Sequence, residues 1–344
     1  SRFTFSYSIF KYTIIALVVG ITSCNSKVNS NNTPTYPKDD LVTLDKDRSK
    51  KLLIETNTNE PVPAAYLLGD WITKLKGKKV AIVGNQTSVV KTSDTVVSKE
   101  WNTKDMLRYE HLVDTLIAHG IDIKRVFAPE HGFRGTADAG TTIRDGIDAE
   151  TGIPIISLYG KNKKPLQEQL EDVDVVLFDI QDVGARFYTY ISTLHYVMEA
   201  CAEYNRKLIV LDRPNPNGHY IDGPILEEQH QSFVGMHPVP VVHGMTIGEY
   251  ALMINGEQWL DKNLQTDLEV IKCYNYTHDS SYSIPIQPSP NLPNDQAINL
   301  YPSLCFFEGT DVSVGRGTEM QFQVYGSPSL VKYTDFAFTP TPNV

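Results

Sequence analysis

The chain has 344 residues, 41% of them hydrophobic and 21% charged, which suits a globular protein long enough for two domains. A formal net charge of −10 argues against a partner held by phosphate neutralisation, and so against nucleic-acid binding. The four cysteines, at positions 24, 201, 273 and 305, show no metal or redox spacing.

Lys11 precedes an apolar run from Tyr12 to Ile21, followed by Thr22-Ser23-Cys24. A basic start, an apolar stretch too brief to cross a bilayer and small residues before a cut site describe a processing segment. Ending on cysteine, residues 1–24 resemble a bacterial lipoprotein signal, with Cys24 as the expected lipidation site and that anchor as the expected membrane contact. Residues 25–60 are expected to be a flexible tether, since Asn25 to about Asp47 is rich in Asn, Ser, Thr and Pro without an apolar period.

From Tyr66 the pattern becomes periodic. Leu67-Leu68, Trp71-Ile72 and Leu75 form a helical stripe ended by Gly77, and Lys79 to Val83 reads as a buried strand running into Gly84-Asn85. A helix follows around His111 to His119, with Gly120 as its C-cap, and then a strand from Arg125 to Ala128. Pro129 stops that strand because it has no N–H to donate, leaving Glu130-His131-Gly132-Phe133-Arg134-Gly135 as a tight loop. Asp138 to Gly152 reads as a surface excursion and Pro154 to Tyr159 as another strand. Pro165 to Leu170 begins a helix leading to the strand Val173–Phe178, which ends in Asp179-Ile180-Gln181-Asp182. Phe187 to Tyr204 is an amphipathic helix, and Lys207 to Leu211 is a further strand ending in Asp212.

Strands that are continuous Val/Ile/Leu runs, alternating with helices, predict a Rossmann-like α/β domain over residues 61–220 with a mostly parallel sheet. Asn85, Glu130, Asp179, Asp182 and Asp212 all fall at or just beyond strand carboxyl ends, where open α/β sheets bind their ligands. After Asn217 the pattern changes. A strand is expected over Pro238–Val242, a capping box at Thr246-Ile247-Gly248-Glu249 opens a helix, and Leu268 to Tyr274 reads as a strand. With a proline-studded loop at Pro285–Pro293 and a short helix near Asn299, residues 221–344 are expected to form a smaller α/β domain.

No G-x-G-x-x-G follows the first strand, and no P-loop, G-x-S-x-G or H-E-x-x-H occurs, so no cofactor is expected. His131, His195, His237 and His243 lack the local spacing of a zinc site. What remains is acid chemistry beside aromatics. A glycosidase needs one carboxylic acid to protonate the leaving oxygen and usually a second as base or nucleophile. Glu130, between Pro129 and Phe133, is the candidate for the first; Asp179 and Asp182 are candidates for the second, with Asp182 preferred because it lies on the loop. Glu308 and Glu319 are further acids that could enter from the smaller domain. Tyr188 and Tyr190 could stack on sugar rings, and Arg134, Arg186 or Arg316 could hold an anionic substrate group.

Six ordered motifs carry a resemblance: Ala-Pro-Glu130-His131-Gly-Phe-Arg134-Gly, Phe-Asp179-Ile-Gln-Asp182-Val-Gly-Ala-Arg186-Phe-Tyr188, Asp212-Arg-Pro-Asn215-Pro, Val-His243-Gly-Met-Thr-Ile-Gly-Glu249, Pro-Ser-Pro-Asn291-Leu-Pro, and Phe-Glu308-Gly-Thr-Asp311-Val-Ser-Val-Gly-Arg316-Gly. In this order they resemble the NamZ-type exo-β-N-acetylmuramidases, from roughly residue 66 onward. The resemblance implies a glycoside hydrolase removing N-acetylmuramic acid from the non-reducing end of peptidoglycan-derived glycans. It also implies an active site in the cleft between the two domains, with Glu130 as acid/base. His131, Arg134, Arg186, Tyr188, Asn215, His243, Asn291 and Arg316 are the expected substrate-binding positions. Members of that family continue past the position of Val344, so the smaller domain is expected to be truncated here. A lipid-anchored cell-envelope location is expected. The competing readings are a non-catalytic muropeptide- or sugar-binding lipoprotein and a metal-dependent deacetylase.

Overall fold

A computed structural model of the chain describes residues 12–14, 60–91, 109–134 and 145–341. Its centre is a seven-stranded sheet built from β1 (Lys79–Gly84), β2 (Asp122–Ala128), β3 (Gly146–Ile147), β4 (Pro154–Ser157), β5 (Val175–Asp179), β6 (Lys207–Leu211) and β7 (Leu268–Ile271). The strand order is β7-β6-β5-β1-β2-β4-β3, and every neighbouring pair is parallel except β3 with β4. The order reverses between β1 and β5, which opens a crevice outside their carboxyl ends.

Alternation along the strands divides the core in two, because successive side chains point to opposite faces. Ala81, Val83, Phe127, Val176, Phe178, Leu208 and Val210 pack on one face with Ile191, Leu194 and Met198 of α2 (Tyr190–Glu203) and Tyr250 and Ile254 of α3 (Ile247–Gly256). Val80, Ile82, Val126, Leu177, Ile209 and Leu211 pack on the other with Trp71, Leu75 and the Leu112 and Leu116 side chains of α1 (Leu112–Ala118). The capping box expected from sequence is formed. Thr246 Oγ1 accepts from the Glu249 N–H at 3.1 Å, and Glu249 Oε2 accepts from the Thr246 N–H at 2.9 Å.

One expected strand changes. The strand over Pro238–Val242 reduces to isolated bridges from Val242 to Ala185 and Asp222, since Pro238 and Pro240 offer no N–H to a ladder. The boundary near residue 220 falls inside the sheet's own sequence. Helix α3 is the crossover from β6 to β7, and Leu268 pairs with Leu208 to give β6 its outer neighbour. Tyr12–Ile14 pairs antiparallel with Gly326–Ser327 and Phe336–Phe338. The rest of the expected signal and tether up to residue 59, Cys24 included, lies outside the described residues, as does residues 135–144 of the expected excursion.

Candidate active site

Glu130 follows the carboxyl end of β2, where Pro129 ends the ladder and His131 and Gly132 both take left-handed backbone, at φ 71° and 81°. Its Oε2 accepts a 2.7 Å hydrogen bond from Thr189 Oγ1, just before α2. Tyr159, beyond the end of the adjacent strand β4, hydrogen-bonds the same carboxyl. Burial and the Glu130 charge push that phenol up to about 12. Tyr188, Tyr190 and Tyr301 form an aromatic cluster beside it. The Tyr188 ring meets Tyr190 edge-on at 4.7 Å and Tyr301 at 5.8 Å. Burial, and then the nearby Glu130 and Asp182 charges, push the Tyr190 phenol up, so it stays a donor and reaches the Pro288 carbonyl at 3.1 Å. Half-buried Glu130 is therefore held by two hydroxyls among aromatic rings.

The carboxyl groups on the rim separate by environment. Asp179 is fully buried, and both its oxygens are taken by Arg213, at 2.6 Å from Nε and 2.8 Å from Nη2. Burial pushes its carboxyl up and the bidentate guanidinium opposes that push. It is a structural ion pair rather than the second carboxylate of a reaction. Asp212 is equally engaged: Oδ1 accepts from the Gly248 and Arg213 amides at 2.8 and 3.0 Å, and Oδ2 from Thr246 Oγ1 at 2.9 Å. Asp182 differs. Oδ2 accepts from the Gly184 amide at 2.7 Å, while Oδ1 is buried with no hydrogen-bond partner. Burial pushes this carboxyl up to about 7 against the pull of the Gly184 and Val183 amides.

His243 faces Asp182. Its Nδ1 accepts from the Met245 N–H at 3.2 Å, so the neutral ring carries its proton on Nε2, 3.9 Å from Asp182 Oδ2. Burial lowers His243 to about 3, which makes this a close approach of neutral imidazole to carboxyl and not an ion pair.

Several expected substrate contacts are occupied by the protein itself. Arg134 lies among Asp148, Asp114 and Glu150, at 2.8, 3.3 and 3.4 Å, and Arg316 is paired with Glu308. Arg186 Nη1 donates to the carbonyls of Pro224 at 2.8 Å and Val239 at 2.5 Å, tying down the segment between them. Asn215 pins a turn: Nδ2 donates to the Met245 carbonyl and Oδ1 accepts from the Asn217 amide, both at 2.8 Å. A Cβ on Gly184 would sit 2.2 Å from that Oδ1, so only glycine fits there. His131 and Asn291 are buried. Thr189 and Tyr159 were not singled out from sequence. Tyr159 shared the rim position that marked the acids, but Thr189 carried no local signal. Among the described residues, no group of three or more His, Cys, Asp or Glu is placed to hold a metal ion.

A cavity of about 760 Å³ lies elsewhere on the molecule, lined by Tyr66, Tyr109, His219, Asp279, Tyr282 and Asn299 among others. Its acids Glu60, Asp279 and Asp295 are all exposed, Asp295 accepting from Ser283 Oγ at 2.7 Å, whereas Glu130 is half-buried among tyrosine rings. The chemistry therefore favours the site around Glu130.

Fold and site define an α/β protein of the open-sheet type whose acids Glu130, Asp179, Asp182 and Asp212 stand at or just beyond strand carboxyl ends. The chain belongs to the NamZ family: the description "Exo-beta-N-acetylmuramidase NamZ, N-terminal" matches residues 80–296, and its C-terminal counterpart matches residues 299–341. It is 41% identical over 278 residues to the peptidoglycan β-N-acetylmuramidase NamZ of Bacillus subtilis (strain 168), covering 79% of this chain and 62% of that protein. The chain thus spans less than two thirds of that relative's length. Two crystal structures of DUF1343 family proteins from Bacteroides fragilis NCTC 9343 are similar. One has a TM-score of 0.70 at 46% identity, over 82% of this chain and 71% of the other. The second has a TM-score of 0.66 at 34% identity, over 78% and 65%.

Proposed function

We propose that this protein is an exo-acting β-N-acetylmuramidase that releases N-acetylmuramic acid from peptidoglycan fragments, with Glu130 as general acid and base. The observation that carries the reading is the Glu130 carboxyl, held by Thr189 and Tyr159 at the end of β2 in a chain of the NamZ family. In this reading Glu130 gives its proton to the glycosidic oxygen as the bond to C1 breaks. It then takes a proton from the water that completes hydrolysis. Asp182 is the second carboxyl. With its free oxygen out of contact with water, it suits orienting the sugar or its 2-acetamido group better than direct attack on C1.

The test is product analysis on a muramyl-β-1,4-glucosamine disaccharide. Wild type is expected to release N-acetylmuramic acid, and Glu130→Gln to lose about 10²- to 10⁴-fold in rate while still binding the disaccharide. Hydrolysis by Glu130→Gln at the wild-type rate overturns the assignment. Wild-type binding without turnover favours the non-catalytic sugar-binding reading. We also propose a cell-envelope location through lipidation of Cys24. Incorporation of a labelled fatty acid, abolished in Cys24→Ser, tests that proposal.

A further inference from the structure

N-acetylmuramic acid differs from its neutral relative N-acetylglucosamine by a lactyl carboxylate, so a selective site needs a cation within reach of the bound sugar. Arg134 lies among three acids and Arg316 is paired with Glu308, while Arg186 faces no acid among the described residues but commits Nη1 to two backbone carbonyls, its Nε being buried without a partner. The sheet order points elsewhere. Strands β2 and β4 are neighbours, with Ala128 paired to Ser157, so the loop leaving β4 stands beside the loop carrying Glu130. That loop reads Tyr159-Gly160-Lys161-Asn162-Lys163-Lys164.

The lysines in it are not equivalent. Lys161 is exposed, and Lys164 is held between Glu199 and Glu203 at 2.6 and 2.7 Å. Lys163 is half-buried, with its Nζ 4.3 Å from the centroid of the Phe233 ring and no acidic partner among the described residues. A ring face fixes a cation without neutralising it, which leaves the charge available to a ligand. Phe233 itself lies 6.3 Å from the ring of Tyr159, the residue that hydrogen-bonds Glu130, and its carbonyl accepts from Ser192 Oγ at 2.7 Å. A continuous row of contacts therefore runs from Glu130 through Tyr159 and Phe233 to one uncompensated ammonium.

We propose that Lys163, seated on Phe233, recognises the carboxylate of the substrate and is the residue that selects muramic over neutral amino sugars. The inference rests on the muramidase reading above and adds its specificity determinant. An ammonium on a flexible stem suits this task, since it attracts a carboxylate as a point charge without demanding a fixed approach.

The experiment compares wild type, Lys163→Met and Lys163→Arg on a chromogenic N-acetylmuramide and on the same substrate with its lactyl carboxylate converted to the amide. Lys163→Met is expected to lower kcat/KM at least tenfold on the charged substrate, mainly through KM, and to leave the neutral amide within twofold. Lys163→Arg is expected to restore most of the preference. Wild-type activity on the charged substrate should fall with added salt, a dependence that Lys163→Met loses. Equal losses on both substrates, or none on either, overturn the proposal. If wild type turns over neither substrate, the hydrolase reading fails by itself. Calorimetric binding of N-acetylmuramic acid and N-acetylglucosamine then decides: a preference in wild type that Lys163→Met lacks supports the inference, and equal preference in the two proteins overturns it.

Discussion

Thr189 Oγ1 donates a 2.7 Å hydrogen bond to Glu130 Oε2 across 59 residues of sequence, joining the approach to α2 to the loop after β2. A hydroxyl on this oxygen fixes the direction in which the carboxyl can serve a substrate. Thr189→Val keeps the shape and removes the donor. A hydrogen bond to a charged group contributes roughly 1.5–3 kcal/mol, so kcat is expected to fall about 10- to 100-fold with thermal stability nearly unchanged. A Thr189→Val enzyme as active as wild type would show that Glu130 needs no such support.

The Asp179–Arg213 pair makes a different prediction, because it concerns folding. Arg213 is 2% exposed and Asp179 fully buried, and Arg213 Nη2 also donates to the Val89 carbonyl at 3.2 Å. Removing one partner leaves an uncompensated buried charge, at a cost of about 3–5 kcal/mol. Arg213→Met and Asp179→Asn should each lower the denaturation midpoint sharply, and the double variant should lose less than their sum. Additive losses would mean that the two side chains do not act as a unit.

Asp182 should make stability depend on pH. Its carboxyl is raised to about 7 in the folded chain from an ordinary value of 3.8. Below 3.8 the native and unfolded states are both protonated and the native state is not penalised. As pH rises toward 7 the unfolded chain releases its proton first, so stability falls by up to about 1.4 kcal/mol per pH unit and then levels off. His243 and His237, lowered to about 3 by burial, act in the opposite sense. Their contribution is present above 6.5 and is lost as pH falls, and it cancels in a comparison of wild type with Asp182→Asn. The variant should gain on wild type between pH 4 and 7. A pH-independent difference would place Asp182 in a solvated setting.

A buried relay behind the site fixes its own tautomers. Glu199, lowered to about 2 chiefly by His195 and Lys164, faces His195 Nε2 at 3.5 Å. His195 Nδ1 lies 2.9 Å from His237 Nε2, and His237 Nδ1 lies 3.0 Å from the Tyr250 hydroxyl. With His195 Nδ1 as the acceptor, neutral His237 donates from Nε2 and Tyr250 donates to His237 Nδ1. Nitrogen-15 NMR should show His237 neutral with its proton on Nε2, and Tyr250→Phe should cost about 1–3 kcal/mol by orphaning His237 Nδ1. An Nδ1 proton on His237 would reverse the direction of the chain.

The strands were legible because buried parallel strands are continuous apolar runs bounded by turn residues, as at Lys79–Gly84, Val175–Asp179 and Lys207–Leu211. Glu130 was legible because Pro129 has to end β2 just before it. Expectation and structure part where partners are distant in sequence. Nothing beside Asp179 announces that Arg213 will take both its oxygens, and nothing in Arg134 reveals Asp114 and Asp148. β7 likewise completes the sheet from beyond residue 220, through a pairing with β6 that neither segment announces by itself.

Periodicity and the rules of turn chemistry, both local properties of the backbone, let the sequence alone settle an alternating α/β chain with acids on one rim. The task of each acid was decided only by the tertiary fold. Charge pairing and desolvation depend on what lies within a few ångströms in space, and that is how Asp179 comes to be neutralised by Arg213, Asp182 to hold a proton near neutral pH, and Glu130 to rest between Thr189 and Tyr159.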